Sequence, residues 1–208
     1  MRNRFLFYIF LLIQIPLLDS CKNPMAFDEY VNYLKAGENG LSRLKTVDGI
    51  IIKVMYLPID YQVFNEIKLS ESFDEKQVDS LRQTYSSSCS FLMTIGPEDK
   101  ASVDITKMNV SNYEQFSEKI LEMSFNMGTM VKMRSDGKEY IPEIAQLERN
   151  FGIRKSTDIL FVFNIPLSNL YDQTDYEFVF SDEVFNTGIN KFKFLSKDIK
   201  NIPKLKFI

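Results

Sequence analysis

Two stretches of this chain are too apolar to leave either side of a β-strand in water. They are Gly49–Leu57 (GIIIKVMYL), interrupted only by Lys53, and Asp158–Ile165 (DILFVFNI). A strand with one wet face alternates apolar and polar residues, whereas a near-continuous apolar run is the pattern of a strand covered on both faces. A chain with two such strands must build a second layer on each side of its sheet. Pro58 and Pro166 follow the two runs and mark their ends.

Other strands alternate. Cys89, Phe91, Met93 and Ile95 share one face against Ser88, Ser90 and Thr94. Tyr176, Phe178 and Phe180 do the same further on, as does Lys191-Phe192-Lys193-Phe194. Asp136-Gly137 is a hairpin signal between Thr129–Arg134 and Lys138–Leu147, and Pro142 makes the second of these an edge or bulged strand. A short strand is expected over Ser102–Ile105, and Lys204–Ile208 reads as a closing edge strand guarded by lysines.

Helical spacing is confined to the first two-thirds. Phe27, Tyr30, Val31 and Leu34 fall at i, i+3, i+4 and i+7. Ser72 with Glu75, and Ser111 with Glu114, have capping-box spacing ahead of helices over Ser72–Tyr85 and Tyr113–Met127. The expected fold is mainly β with helices (α+β): an antiparallel β-sandwich, immunoglobulin- or transthyretin-like, with two or three packed helices. The latter two helices are expected to cover the doubly apolar strands. Residues 26–208 are expected to form a single globular domain, large enough to bury a real core.

The N-terminus differs in kind. Arg2 and Arg4 precede an apolar run from Phe5 to Ile15, interrupted by Gln14, and the stretch ends Leu18-Asp19-Ser20-Cys21. A basic start, an apolar middle and a small residue before the cut make a secretory signal over residues 1–20. The run is short for a membrane span, which takes ~20 apolar residues. Leu18-Asp19-Ser20-Cys21 resembles the lipobox of bacterial lipoproteins, with Asp19 departing from the small or apolar residue usual at its position. The resemblance implies that the chain is cut before Cys21, that Cys21 carries acyl chains on its thiol and new amino terminus, and that residues 21–25 are a lipidated tether. Several acyl chains together give stable anchoring, each buried methylene contributing ~0.8 kcal/mol. The Phe-, Lys-, Asn- and Ile-rich composition also resembles that of lipoproteins of the Bacteroidota.

Composition closes off several chemistries. The chain contains no histidine, which removes Ser-His and Cys-His nucleophile pairs and imidazole metal sites. Its formal net charge of −3 becomes −4 once Arg2, Arg4 and Asp19 leave with the signal. Such a balance does not suit nucleic acid, which needs a basic face. With Cys21 committed to lipid, Cys89 has no partner for a disulfide, and its register places it with the core residues as a small buried hydrophobe.

Candidate chemistry is sparse. Asp172, Asp175, Glu177, Asp182 and Glu183 are acidic enough for calcium but lack an EF-hand spacing, so solvated loop charge is expected. Met123, Met127, Met130 and Met133 read as core packing rather than a soft-metal site. Asp158 with Asp60 or Glu143 makes a glycosidase pair only if the fold brings them together. Ser86-Ser87-Ser88 lacks a nucleophile elbow, and no phosphate loop is present. The expectation is therefore a non-catalytic, membrane-anchored lipoprotein without metal or cofactor. It would act as a protein-interaction or structural component of the cell envelope or of a secretion assembly, with Tyr140 and Ile144 on the Lys138–Leu147 edge as partner-binding residues. The alternative is a lipid-anchored protein binding a glycan or small molecule, and a pocket lined with aromatics and convergent polar groups would favour it. Lys22-Asn23-Pro24-Met25 carries no acidic residue, which suits the periplasmic face of the outer membrane rather than the cell surface.

Overall fold

The computed structural model describes residues 23–68, 70, 73–98, 103–148 and 153–207. The signal segment, Cys21 and the expected caps or strand ends Ser72, Ser102 and Ile208 lie outside the described residues. In chain order the elements are α1 (Phe27–Lys35), β1 (Ser42–Val47), β2 (Ile50–Leu57), α2 (Ile59–Ile67), α3 (Glu75–Tyr85) and β3 (Cys89–Pro97). Helix α4 (Tyr113–Leu121) then runs through a wide π-type turn, Glu122–Asn126, into α5 (Met127–Met130). There follow β4 (Val131–Ser135), β5 (Lys138–Tyr140), β6 (Ile144–Glu148), β7 (Thr157–Phe163), α6 (Leu167–Asp172), β8 (Asp175–Asp182), β9 (Gly188–Leu195) and α7 (Ser196–Lys200).

The strands form two sheets, β1-β2-β3-β7-β6 and β5-β4-β8-β9, and every pairing within them is antiparallel. This is the expected antiparallel sandwich with packed helices. Register explains the core. Tyr56, Phe91 and Phe161 lie opposite one another across β2, β3 and β7, so their side chains share the inner face. Phe178, Phe192 and Phe194 rise from the facing sheet, and Phe91 alone meets Tyr56, Phe163, Phe178 and Phe194 at ring-centroid distances of 5.5, 6.1, 5.7 and 5.1 Å. Along one side the edge strands close on each other, where Arg43 Nε of β1 donates to the Lys193 carbonyl of β9 at 2.7 Å.

The doubly apolar strand β2 is covered as its pattern demands, but by other helices than expected. Its outward Leu57 and the neighbouring Ser90 of β3 are buried beneath α2, whose Gln62 accepts from Ser90 Oγ at 3.0 Å and donates to the Leu57 carbonyl at 3.2 Å. Helix α2 begins directly after Pro58 with no side-chain cap, and no helix is expected there from the sequence. Helix α3 packs on α2 through Val63, Ile67 and Val78. Its N-cap is Asp74, which accepts from the Gln77 amide at 2.8 Å. Helix α4 is capped by Asn112, one residue past the expected Ser111, and buries none of its own residues. The core contact comes after it, from Met123, Met127 and Met130, and these are core packers as expected.

Further differences are local. The expected second strand of the Asp136-Gly137 hairpin is two short strands, β5 and β6, because the chain passes at Pro142 from the edge of one sheet to the edge of the other. Both are edges, as Pro142 required. A second hairpin, β1–β2, turns on Asp48-Gly49, where both residues have positive φ (49° and 77°), matching Asp136 and Gly137 at 46° and 74°. Over 103–105 the chain bends and turns rather than forming a strand, with Ile105 turned fully inward. The C-terminal lysine-guarded segment contributes a single bridge, Met25 to Leu205. Helices α6 and α7 also lie beyond the point where helical spacing ends in the sequence.

Cys89 is 2% exposed, on the inner face as its register predicts, and burial pushes its thiol well above the usual range. Thiol reagents should therefore label the native protein slowly and the unfolded protein fast. Cys89→Ser should destabilise by about 1–3 kcal/mol, the cost of burying a hydroxyl with no arranged partner. Rapid native labelling would contradict this placement.

Candidate functional site

At the end of the sandwich where β2, β7 and β9 run out, their chains turn directly into α2, α6 and α7. Helix α1 and the C-terminal end of α3 join them, and the five enclose a cavity of about 430 Å³. The size lies within the range of roughly 300–1,000 Å³ typical of small-molecule sites. Pro58, Ile59, Leu167, Ile199 and Ile202 give it apolar walls. Its polar lining is supplied by Tyr30, Tyr56, Tyr171, Asp60, Arg82 and Lys200, with Gln83 and Ser86.

Each polar group is held by a local reason. Tyr30 falls four residues before Leu34 on the buried stripe of α1, and both are almost fully enclosed. Phe27 of the same helix stacks on Phe64 of α2 with centroids 4.0 Å apart, which fixes α1 against α2. Tyr56 ends the inner face of β2 with its ring edge-on to Phe91. Asp60 stands in the first turn of α2 and Arg82 in the last turn of α3, each at the helix end its charge favours. They pair at 2.8 Å, and Arg82 reaches Asp79 at 3.2 Å while lying 5.1 Å over the Phe207 ring. The hydrogen bond to Asp60 is the main cause that raises the Arg82 pKa. The Leu167 amide donates to the Ser86 carbonyl at 2.9 Å, joining α6 to the end of α3. Lys200 Nζ sits 5.8 Å from the Tyr171 ring centroid.

Two hydroxyls stand out. Tyr30 and Tyr56 are 1% and 2% exposed, yet both line the cavity, and neither hydroxyl has a hydrogen-bond partner among the described residues. A buried tyrosine ordinarily finds a partner for its O–H, as Tyr176 does by donating to the Asn169 carbonyl at 2.8 Å. Burial first, and then the Asp60 charge, pushes the Tyr30 phenol up from 10.0; burial does the same to Tyr56, with smaller contributions from Cys89, Tyr171 and Tyr30. Tyr171 moves the same way from burial and Asp60. All three are neutral hydroxyls at physiological pH, able both to donate and to accept.

The residues singled out in the sequence go elsewhere. Asp158 accepts from Thr94 Oγ1 at 2.6 Å and pairs with Arg154 at 2.9 Å on the outer face of its sheet. Glu143 accepts from Asn164 at 3.0 Å, so neither carboxylate joins Asp60. Of the acidic stretch, Asp172 and Glu183 are exposed, as solvated charge would be, but the other three are not. Asp175 and Glu177 pair with Lys193 and Lys191 across β8 and β9, while buried Asp182 accepts from the Val184, Phe185 and Thr187 amides and from Thr187 Oγ1. Among the described residues no three His, Cys, Asp or Glu side chains gather as a metal site would need. Tyr140 lies on β5 with its ring half-buried against the core, whereas Ile144 lies on β6 and is 49% exposed. The two are on different sheets and do not form one surface feature of a single strand. Among the described residues no helix is long and apolar enough to cross a membrane.

No protein-family model matches the chain, and no curated protein sequence is significantly similar to it.

Proposed function

We propose that this is a lipid-anchored, non-catalytic protein of the bacterial cell envelope that binds a small ligand in the cavity between its helices. The observation that carries the reading is a pair of buried tyrosines whose hydroxyls reach the same open space and have no hydrogen-bond partner among the described residues. A chain with 18 phenylalanines places tyrosine at these two core positions, and neither added oxygen makes a hydrogen bond to the protein among the described residues. A ligand that completes their hydrogen bonds gives them a use. The anchor half of the reading rests on the basic start, apolar run and Leu18–Cys21 motif, and the lack of an acidic residue in Lys22-Asn23-Pro24-Met25 supports the periplasmic face of the outer membrane over the cell surface.

Native mass spectrometry of the intact protein, released in mild detergent from its own envelope, tests the reading. A small molecule of constant mass should accompany the wild-type protein and be absent from a Tyr30→Phe/Tyr56→Phe variant. That variant keeps both rings and loses no protein hydrogen bond, so its thermal midpoint should stay within a few degrees. A wild-type protein that carries and accepts no small molecule would overturn the proposal.

Capture of another envelope protein is the second reading. Ile141 and Ile144, exposed by 77% and 49%, flank Pro142 where the chain crosses between the two sheet edges. On that reading Ile144→Glu should impair partner capture and leave the thermal midpoint within a few degrees, since surface substitutions usually act within ~0.5 kcal/mol. Tyr140→Glu is a poor probe, because its ring packs against the core. Unchanged capture by Ile144→Glu would remove this surface from consideration.

A further inference from the structure

Resting on the proposed ligand site, the geometry points to its ligand class: we infer that the cavity takes a neutral, hydroxyl-rich ring of the carbohydrate class. The polar lining mixes donors and acceptors within one small space. Tyr30, Tyr56 and Tyr171 each offer one donor and acceptor lone pairs. Asp60 commits one carboxylate oxygen to Arg82, and its other oxygen has no hydrogen-bond partner among the described residues. Lys200 adds donors at the rim.

Charge then selects among ligands. A carboxylate only accepts, so although Arg82 and Lys200 attract it, it has no donor to give the free oxygen of Asp60. An ammonium only donates, and would meet Arg82 and Lys200. A sugar hydroxyl donates and accepts at once, so it satisfies the phenols and the free oxygen of Asp60 without bringing a further charge into the cavity. The C–H faces of a sugar ring suit the walls of Pro58, Ile59, Leu167, Ile199 and Ile202. At ~30 Å³ per water in the liquid, the cavity of about 430 Å³ equals roughly 14 waters, room for one or two such rings. Tryptophan, the commonest sugar platform, is absent from the chain, and tyrosine is the remaining aromatic side chain with a polar tip.

The same chemistry has two sources, a free sugar and the headgroup of a glycolipid. The cavity wall at Ile202 is three residues from Leu205, whose neighbours hold Met25 through two backbone hydrogen bonds of 2.9 Å. Cys21 is four residues before Met25 and therefore within about 14 Å of it along an extended chain.

The test is calorimetric titration of the intact protein in detergent with D-glucose, D-galactose, N-acetyl-D-glucosamine, D-glucuronate and D-glucosamine. A parallel arm uses phosphatidylcholine vesicles with and without a glycosyl diacylglycerol. The expected result is saturable binding of a neutral sugar, weakened roughly tenfold by Tyr30→Phe and by Tyr56→Phe, each loss corresponding to about 1.4 kcal/mol, at unchanged thermal midpoint. Binding confined to the glycolipid vesicles supports the class and assigns the source to the membrane. Preference for glucuronate or glucosamine over glucose, lost in the Phe variants, overturns the neutral class while leaving a ligand site at the tyrosines. Binding by no probe in either arm overturns the class; a small molecule still seen by native mass spectrometry would then show that the site itself stands.

Discussion

Phe91→Ala is expected to destabilise the protein by about 3–5 kcal/mol, the usual cost of removing a fully buried phenylalanine. The side chain is 0% exposed and is the point at which the two sheets and the helical end meet, through Tyr56, Phe163, Phe178 and Phe194. Four rings cannot collapse into the space together, because each is fixed to its own strand by register. The cavity therefore persists and its full cost is felt. A domain of this size has a total stability of about 5–15 kcal/mol, and each kcal/mol moves its midpoint by about 2–4 °C, so the drop should be roughly 6–20 °C. Calorimetry or thermal unfolding measures it, with Phe125→Ala, at a position 77% exposed, as the control expected to shift little. A drop of only a degree or two in Phe91→Ala would show that the sheets are not packed through this ring.

Cys21→Ser should move the protein completely from the membrane fraction to the soluble envelope fraction and abolish its labelling by fatty acid. A single acyl chain binds membranes only marginally and reversibly, while two or more give stable attachment at ~0.8 kcal/mol per buried methylene. On the proposed reading the acyl chains make the whole attachment: the mature net charge would be −4 without Arg2, Arg4 and Asp19, so attraction to anionic lipid is not expected to replace them. A Cys21→Ser protein that stays membrane-bound and uncleaved would mean that the apolar run from Phe5 is itself the anchor.

The layers of the fold were legible because burial on two faces leaves a plain signature. The runs at β2 and β7 demanded a second sheet, and β2 its helical cover, although Leu160 and Val162 on the outer face of β7 are only partly buried; alternation in β3, β8 and β9 assigned inner faces correctly down to Cys89. What stayed hidden was short or uncapped. Helix α2 follows Pro58 with no capping residue, and α6 and α7 span six and five residues, too few for a helical period to show. The change of sheet at Pro142 was invisible because an edge strand that ends and one that crosses over have the same local pattern.

The cavity was illegible for a related reason. Tyr30 and Tyr56 sit on apolar faces of a helix and a strand, and periodicity counts them as core, which they are. The signal that distinguishes them is chemical: tyrosine instead of phenylalanine where the ring is buried. Asp60 and Arg82, 22 residues apart in sequence, come together from two helices, and the packing of α2 on α3 through Val63, Ile67 and Val78 makes them neighbours.

The central claim is that the hydroxyls of Tyr30 and Tyr56 meet a ligand, and the most direct measurement observes those two side chains. Intact protein with its tyrosines carbon-13 labelled at Cζ, titrated with the small molecule that accompanies it from the envelope, reports hydrogen bonding at each phenol. The resonances are assigned by their loss in Tyr30→Phe and in Tyr56→Phe. The account predicts that these two shift together and saturate with the ligand, while Tyr176, already bonded to the Asn169 carbonyl, stays in place. Saturable binding that leaves both resonances unmoved would contradict it.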